Sequence, residues 1–155
     1  MDPADRSDNN ENERDEPAGR PAAAAREPIA AAREPKEVCF LIDARGAVLW
    51  SDTGTSAVAI PDSRARWEAI WIRRDELVEI AHSHPIGPLA FSSEDETTME
   101  ALTSALGRPL RFSVVAPAGM LARQDGEDRR VGDEPWWAGL LRLASGMSDP
   151  PRSEE

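Results

Sequence analysis

Residues 79–102 read EIAHSHPIGPLAFSSEDETTMEAL. The chain has two histidines in 155 residues, and both lie here, at His82 and His84. The run ELVEIAH over 76–82 has the apolar character of a strand, on which side chains two apart share a face. His82 and His84 are therefore expected to point the same way. Pro85 ends the strand, and Gly87 with Pro88 shapes a loop that turns the chain back. Ser93-x-x-Glu96 reads as a capping box, and Met99, Leu102 and Leu106 form one stripe of the helix that follows over 97–106. Gly107 and Pro109 stop it.

On the N-terminal side, EVCFLID (37–43) and AVLW (47–50) read as a hairpin turned at Arg45-Gly46, with SAVAI (56–60) as a third strand. RWEAIWIR (66–73) alternates, with Trp67, Ala69 and Trp71 on one face, and is expected to pair with 76–82 across a tight turn at Arg74-Asp75. On the C-terminal side, LRFSVVA (110–116) and GMLARQ (119–124) read as strands. Asp133 is expected to cap a last helix with Trp137, Leu140, Leu141 and Ala144 on one side. Strands, a helix, more strands and a final helix predict an α/β (α+β) domain with a mixed central sheet flanked by helices.

The domain is expected over 35–147. Residues 1–34 hold four of the thirteen prolines, a dense mix of charge and one large internal apolar residue, Ile29. Such a stretch cannot bury enough surface to offset its ordering entropy, so it reads as a disordered acidic tail with a short docking helix at 29–34. Residues 148–155 read as a second disordered tail. The net charge of −11 leaves the domain itself acidic, a poor match for nucleic acid or an anionic membrane. One cysteine, Cys39, allows no internal disulfide and is expected to be a small buried apolar group. No apolar run suits a signal peptide or a membrane span, so a cytoplasmic protein is expected.

Two imidazoles on one strand face and a carboxylate in the first turn of a helix make a His82, His84, Asp95 set. That is the three-ligand pattern of a catalytic zinc, which keeps a fourth position open. Zinc would supply an acidified water, and a further carboxylate within reach would move its proton.

The spacing His82-x-His84-Pro85, six residues, then Ser92-x-x-Asp95 resembles the signature of the JAMM, or MPN-plus (JAB domain), zinc metallopeptidases. Five fixed positions coincide by chance in on the order of one chain in ten thousand or fewer. The family's distant glutamate is often found in a Pro-x-Glu-x-Cys-Gly-x-Leu context in bacterial relatives. Here Pro35-Lys36-Glu37-Val38-Cys39 matches it, with Phe40 in place of the glycine and Ile42 in place of the leucine. The resemblance implies a JAB/MPN-like fold with cytidine-deaminase-like layering, and Zn2+ held by His82, His84 and Asp95. It implies Glu37 as the base that relays a proton to the leaving amine, and Ser92 as a donor to the oxyanion.

The resemblance further implies hydrolysis of an amide or isopeptide bond, with the C-terminal tail of a ubiquitin-like or sulfur-carrier protein as substrate. Such Gly-Gly tails can lie as an added strand. The short connections around the site fit a compact prokaryotic-type enzyme. Two alternatives stand beside this reading. One is a metal-binding interaction module without catalysis. The other is a RadC-like protein of DNA metabolism, against which the acidic domain counts. Trp50 and Trp71 read either as packing or as the lining of a substrate groove.

Overall fold

The computed structural model describes residues 34–147. The tail expected over 1–33 and the tail over 148–155 lie outside the described residues, as does most of the short helix expected at 29–34.

Six strands form one sheet: β1 (Val38–Asp43), β2 (Val48–Thr53), β3 (Leu77–Ser83), β4 (Arg111–Ala116), β5 (Gly119–Gln124) and β6 (Glu127–Arg130). Their order is β2-β1-β3-β4-β5-β6. All neighbours are antiparallel except β3 and β4. Among the described residues, three helices join the sheet: α1 (Arg64–Ile72), α2 (Ser93–Leu106) and α3 (Trp136–Ser145). The mixed sheet with flanking helices is the α+β architecture expected.

β1 is buried along its length because both faces of the sheet are covered. Val38, Phe40 and Ile42 meet Trp137, Ala138 and Leu141 of α3 on one face. Cys39 and Leu41 alternate to the other face and pack with Ala69 and Ile70 of α1 and Met99 and Leu102 of α2. Parallel strands need a crossover, and α2 supplies it between β3 and β4. The first turn of α2 thus returns to the C-terminal end of β3, the customary side for ligands in open sheets with parallel strands.

Four sequence expectations are corrected. Residues 66–73 are helical, not a strand. The side chain of Ser63 accepts from the Arg66 N–H, and Arg64 pairs with Glu68 one turn on at 2.8 Å. Apolar residues are spread round this helix: Ala69 and Ile70 are buried while Trp71 and Ile72 are exposed, so its sequence fits both periods. As a result β3 pairs with β1 and β4, not with 66–73. Residues 56–60 form no strand, although the Ser56 carbonyl accepts from the Glu37 N–H. α3 starts after Pro135, without a side-chain cap from Asp133. The capping box of α2 lies one residue earlier than read: Ser92 and Asp95 exchange the bonds. The edge strand β6 was not foreseen. Its EDRR sequence is charged and fully exposed, yet Asp125-Gly126, both at positive φ, form the turn that pairs it with β5.

Among the described residues, no helix is long and apolar enough to cross a membrane.

Candidate metal centre

The site is assembled from three places in the chain: the entry to β1, the end of β3 and the start of α2. In the β1–β3 ladder Cys39 stands opposite His82, so Glu37, just before β1, lies near the end of β3. Ser83, the residue between the histidines, is fully buried, and its Oγ accepts from the Val38 N–H at 2.8 Å. That bond pins the segment carrying Glu37 to the segment carrying the imidazoles. A turn continues the path, with the Gly54 N–H on the Glu37 carbonyl at 2.7 Å.

The two imidazoles converge as the spacing predicts. His82 Nε2 and His84 Nε2 lie 3.1 Å apart. Asp95 Oδ2 is 3.2 Å from the first and 3.3 Å from the second. A tetrahedron has an edge about 1.6 times its centre-to-vertex length, hence about 3.3 Å for zinc bonds of ~2.0–2.1 Å. The three donor atoms therefore have the spacing of one tetrahedral face, and these residues could hold a metal ion together.

The outer contacts set the donor atoms. The chain folds back after His84, with Gly87 at φ +74° and its N–H on the His84 carbonyl at 2.9 Å. This brings the Pro88 carbonyl to His84 Nδ1 at 2.9 Å. With Nδ1–H donating there, the lone pair of His84 sits on Nε2, facing the other donors. Asp95 is fixed by the capping box: its Oδ2 accepts from the Ser92 N–H at 2.7 Å, and its own N–H donates to Ser92 Oγ at 3.1 Å. The Phe91 ring lies 6.2 Å from that of His82, and the Arg123 guanidinium stacks over the Phe91 ring at 4.7 Å from its centre. Arg123 in turn grips Asp128 by a two-bond fork and also Glu96 of α2.

The charges favour a cation at this point. Burial pulls the His84 imidazole down, but Asp95, the Pro88 carbonyl and Glu37 outweigh it, and its proton affinity is raised overall. Burial pushes Asp95 up, and its bonds from His82, His84 and the Ser92 N–H more than reverse that, leaving it well below the ordinary carboxylate range. Glu37 is nearly buried, and its Oε1 stands 3.9 Å from His84 Nε2, beyond hydrogen-bond reach. Its burial raises the carboxyl above its ordinary value, against the pull of both histidines. Glu37 thus lies beside the three donors without completing them. The Cys39 thiol is buried and pushed up to about 12, which makes it a packing residue and a poor ligand.

All five residues singled out from the sequence, Glu37, His82, His84, Ser92 and Asp95, meet here. Sequence reasoning missed Ser83, the Pro88 carbonyl, Phe91 and Arg123. The first three had a local signal, lying inside the His-x-His-Pro stretch and the six-residue loop after it. Arg123 reaches the site from β5, and nothing near it in sequence announces the contact. Glu79, three residues before His82 on β3, faces away, accepting from Ser113 and pairing with Arg111.

Residues 21–131 match the family model described as prokaryotic homologs of the JAB domain. No curated protein matches the chain.

Proposed function

The chain belongs to the prokaryotic homologs of the JAB domain, and from that premise we propose that it is a zinc-dependent peptidase or isopeptidase. The observation that carries the reading is the tetrahedral-face spacing of His82, His84 and Asp95 with a raised, buried Glu37 carboxylate beside them. Zinc, held by these three, supplies Lewis acidity and acidifies water when bound. The chain's own residues do the rest. Glu37 takes a proton from the attacking water and passes it to the leaving amine. Its buried carboxylate beside the three donors is placed to accept that proton and hand it on. Ser92, whose Oγ only accepts in the capping box, keeps its hydroxyl proton to donate to the oxygen that gains charge.

The substrate class proposed is the C-terminal tail of a ubiquitin-like or sulfur-carrier protein. The connection from His84 to α2 is short, in keeping with a small substrate surface. The test is to strip the purified chain with a chelator, reload it with zinc, and measure metal content and cleavage of a tail peptide. One zinc per chain and cleavage that disappears with the chelator are expected. Glu37→Gln should keep the metal and lose about 10²–10⁴-fold in rate. Full activity in zinc-loaded Glu37→Gln would remove Glu37 as the base, and stoichiometric zinc without hydrolysis would favour an interaction module.

A further inference from the structure

A small cavity of about 120 Å³ opens directly beside the candidate metal centre, between α1, α2 and the sheet. Glu37, His82, Ser92 and Asp95 form one wall of it. Its floor and far walls are apolar: Ile60, Ile70, Ile80, Met99, Leu102 and Phe112. Trp67, Val58 and Thr98, all partly or well exposed, stand at its edge. Pockets that hold a whole drug-sized ligand run to ~300–1,000 Å³, so this one is sized for a single side chain.

We infer that this cavity is a specificity subsite for an aliphatic side chain of leucine size, on the residue that follows the scissile bond, since the residue before it in a Gly-Gly tail is glycine. The inference rests on the hydrolase reading for the bond that is cut, but the cavity is a property of this chain's own walls. Its polar neighbours argue against an acidic occupant. The Arg66 guanidinium, the one cation on the lining, is already tied to Asp52 at 2.9 Å and to the Pro61 carbonyl at 2.7 Å. Glu37, Glu94 and Asp95 face an incoming side chain with carboxylates, which excludes acids. The wall is also held in place. A Cβ on Gly54 would stand 2.5 Å from the Ala59 carbonyl oxygen, so the loop carrying Ala59 and Ile60 folds against Gly54 at backbone distance. The same glycine donates to the Glu37 carbonyl, so cavity wall and Glu37 are built on one turn.

The experiment uses two probes that anchor on zinc without being cut and extend to the leaving-amine side, a glycine probe (the hydroxamate of succinic acid mono-N-methylamide) and a leucine probe (its analogue with an isobutyl group beside the amide), titrated by calorimetry into the zinc-loaded full chain. The leucine probe should bind at least about tenfold tighter, from burial of its side chain. Two plugging variants, Thr98→Trp at the mouth and Ala59→Phe in the loop wall, should reduce the preference to within about twofold while the glycine probe keeps its affinity. A matched pair of tail peptides with Gly or Leu directly after the cleaved bond should show the same order in kcat/KM. Equal affinities for the two probes, or a preference that survives both plugs, would overturn the subsite even where peptides are cleaved. A leucine preference in binding with no peptide hydrolysed would uphold the subsite and overturn the hydrolase reading. A chain that binds neither zinc nor probe would overturn both.

Discussion

Ser92 is asked to do two things, and they can be separated. Its Oγ caps α2 by accepting the Asp95 N–H at 3.1 Å, and its hydroxyl proton is proposed to stabilise the oxyanion. Ser92→Ala removes both. Loss of the cap costs about 1 kcal/mol, which lowers the melting temperature of a domain this size by a few degrees, about 4 °C. Loss of an oxyanion donor costs about 3–4 kcal/mol in the transition state, on the order of 10²–10³ in kcat. Glycine is a tolerable N-cap, only a few tenths of a kcal/mol below serine, yet it has no hydroxyl. Ser92→Gly should therefore melt close to wild type and still lose the full 10²–10³ in rate. Ser92→Thr should preserve both properties. The second bond of the capping box, from the Ser92 N–H to Asp95 Oδ2, is made by the backbone and survives every substitution, so zinc content should stay at one per chain throughout. The assay is steady-state hydrolysis with metal analysis and thermal melts on the same preparations. If zinc-loaded Ser92→Gly retains kcat within about threefold, the side chain is a cap alone and the donor role is refuted.

Arg123→Met breaks the fork to Asp128, the bond to Glu96 and the stack on Phe91; none of these partners is a ligand residue, so zinc affinity, measured by competition with a chelating dye, should fall by less than the about 10–100-fold seen when a group bonded to a ligand is lost, and an unchanged affinity would detach Arg123 from the site. Glu134 holds the nearly buried guanidinium of Arg142 with two bonds, so Glu134→Ala should lose about 3–5 kcal/mol in urea unfolding, and a loss below about 1 kcal/mol would mean that the charge finds another partner. Burial raises the Glu79 carboxyl against the pull of Ser113 and Arg111. The folded state then holds that proton more tightly than the unfolded chain, and stability falls as pH rises from the ordinary glutamate range through the raised value. Glu79→Gln should flatten that part of the stability–pH curve, and an unchanged slope would assign it to another group.

Much of the site was legible because its parts are local. The two-residue spacing of His82 and His84 on a strand, and the three-residue spacing of Ser92 and Asp95 at a helix start, each follow from the geometry of one element. The long-range part, Glu37, was found through its Pro-x-Glu-x-Cys context and not through any periodicity. The errors fall where local physics is ambiguous. RWEAIWIR fits a strand and a helix equally, and what decides it is the Ser63 cap and the burial of Ala69 and Ile70, a tertiary fact. β6 is charged throughout and exists because of its turn. The contacts that tune the site, Arg123 on Phe91 and Ser83 on Val38, join residues far apart in the chain, so the pairing is not readable from the neighbours of either partner.

The capping box also resolves an electrostatic conflict at this site. A helix N-terminus carries the positive end of the macrodipole, about half an elementary charge, and repels a cation. α2 nevertheless aims its first turn at the candidate metal centre. Its opening residues reverse the sign: Glu94, Asp95 and Glu96 are all acidic and all in that first turn. Asp95 sits at the third helical position, where a carboxylate bonds back to the N-cap backbone and so is fixed before any cation arrives. The rise in His84 proton affinity, despite burial, has the same origin, since Asp95 contributes the largest upward pull. One residue thereby starts the helix, cancels its dipole locally and presents an oxygen to both imidazoles. The Ser-x-x-Asp spacing is then a requirement of helix geometry as much as of metal chemistry, because a shift of one residue would swing the carboxylate about 100° round the helix, away from His82 and His84.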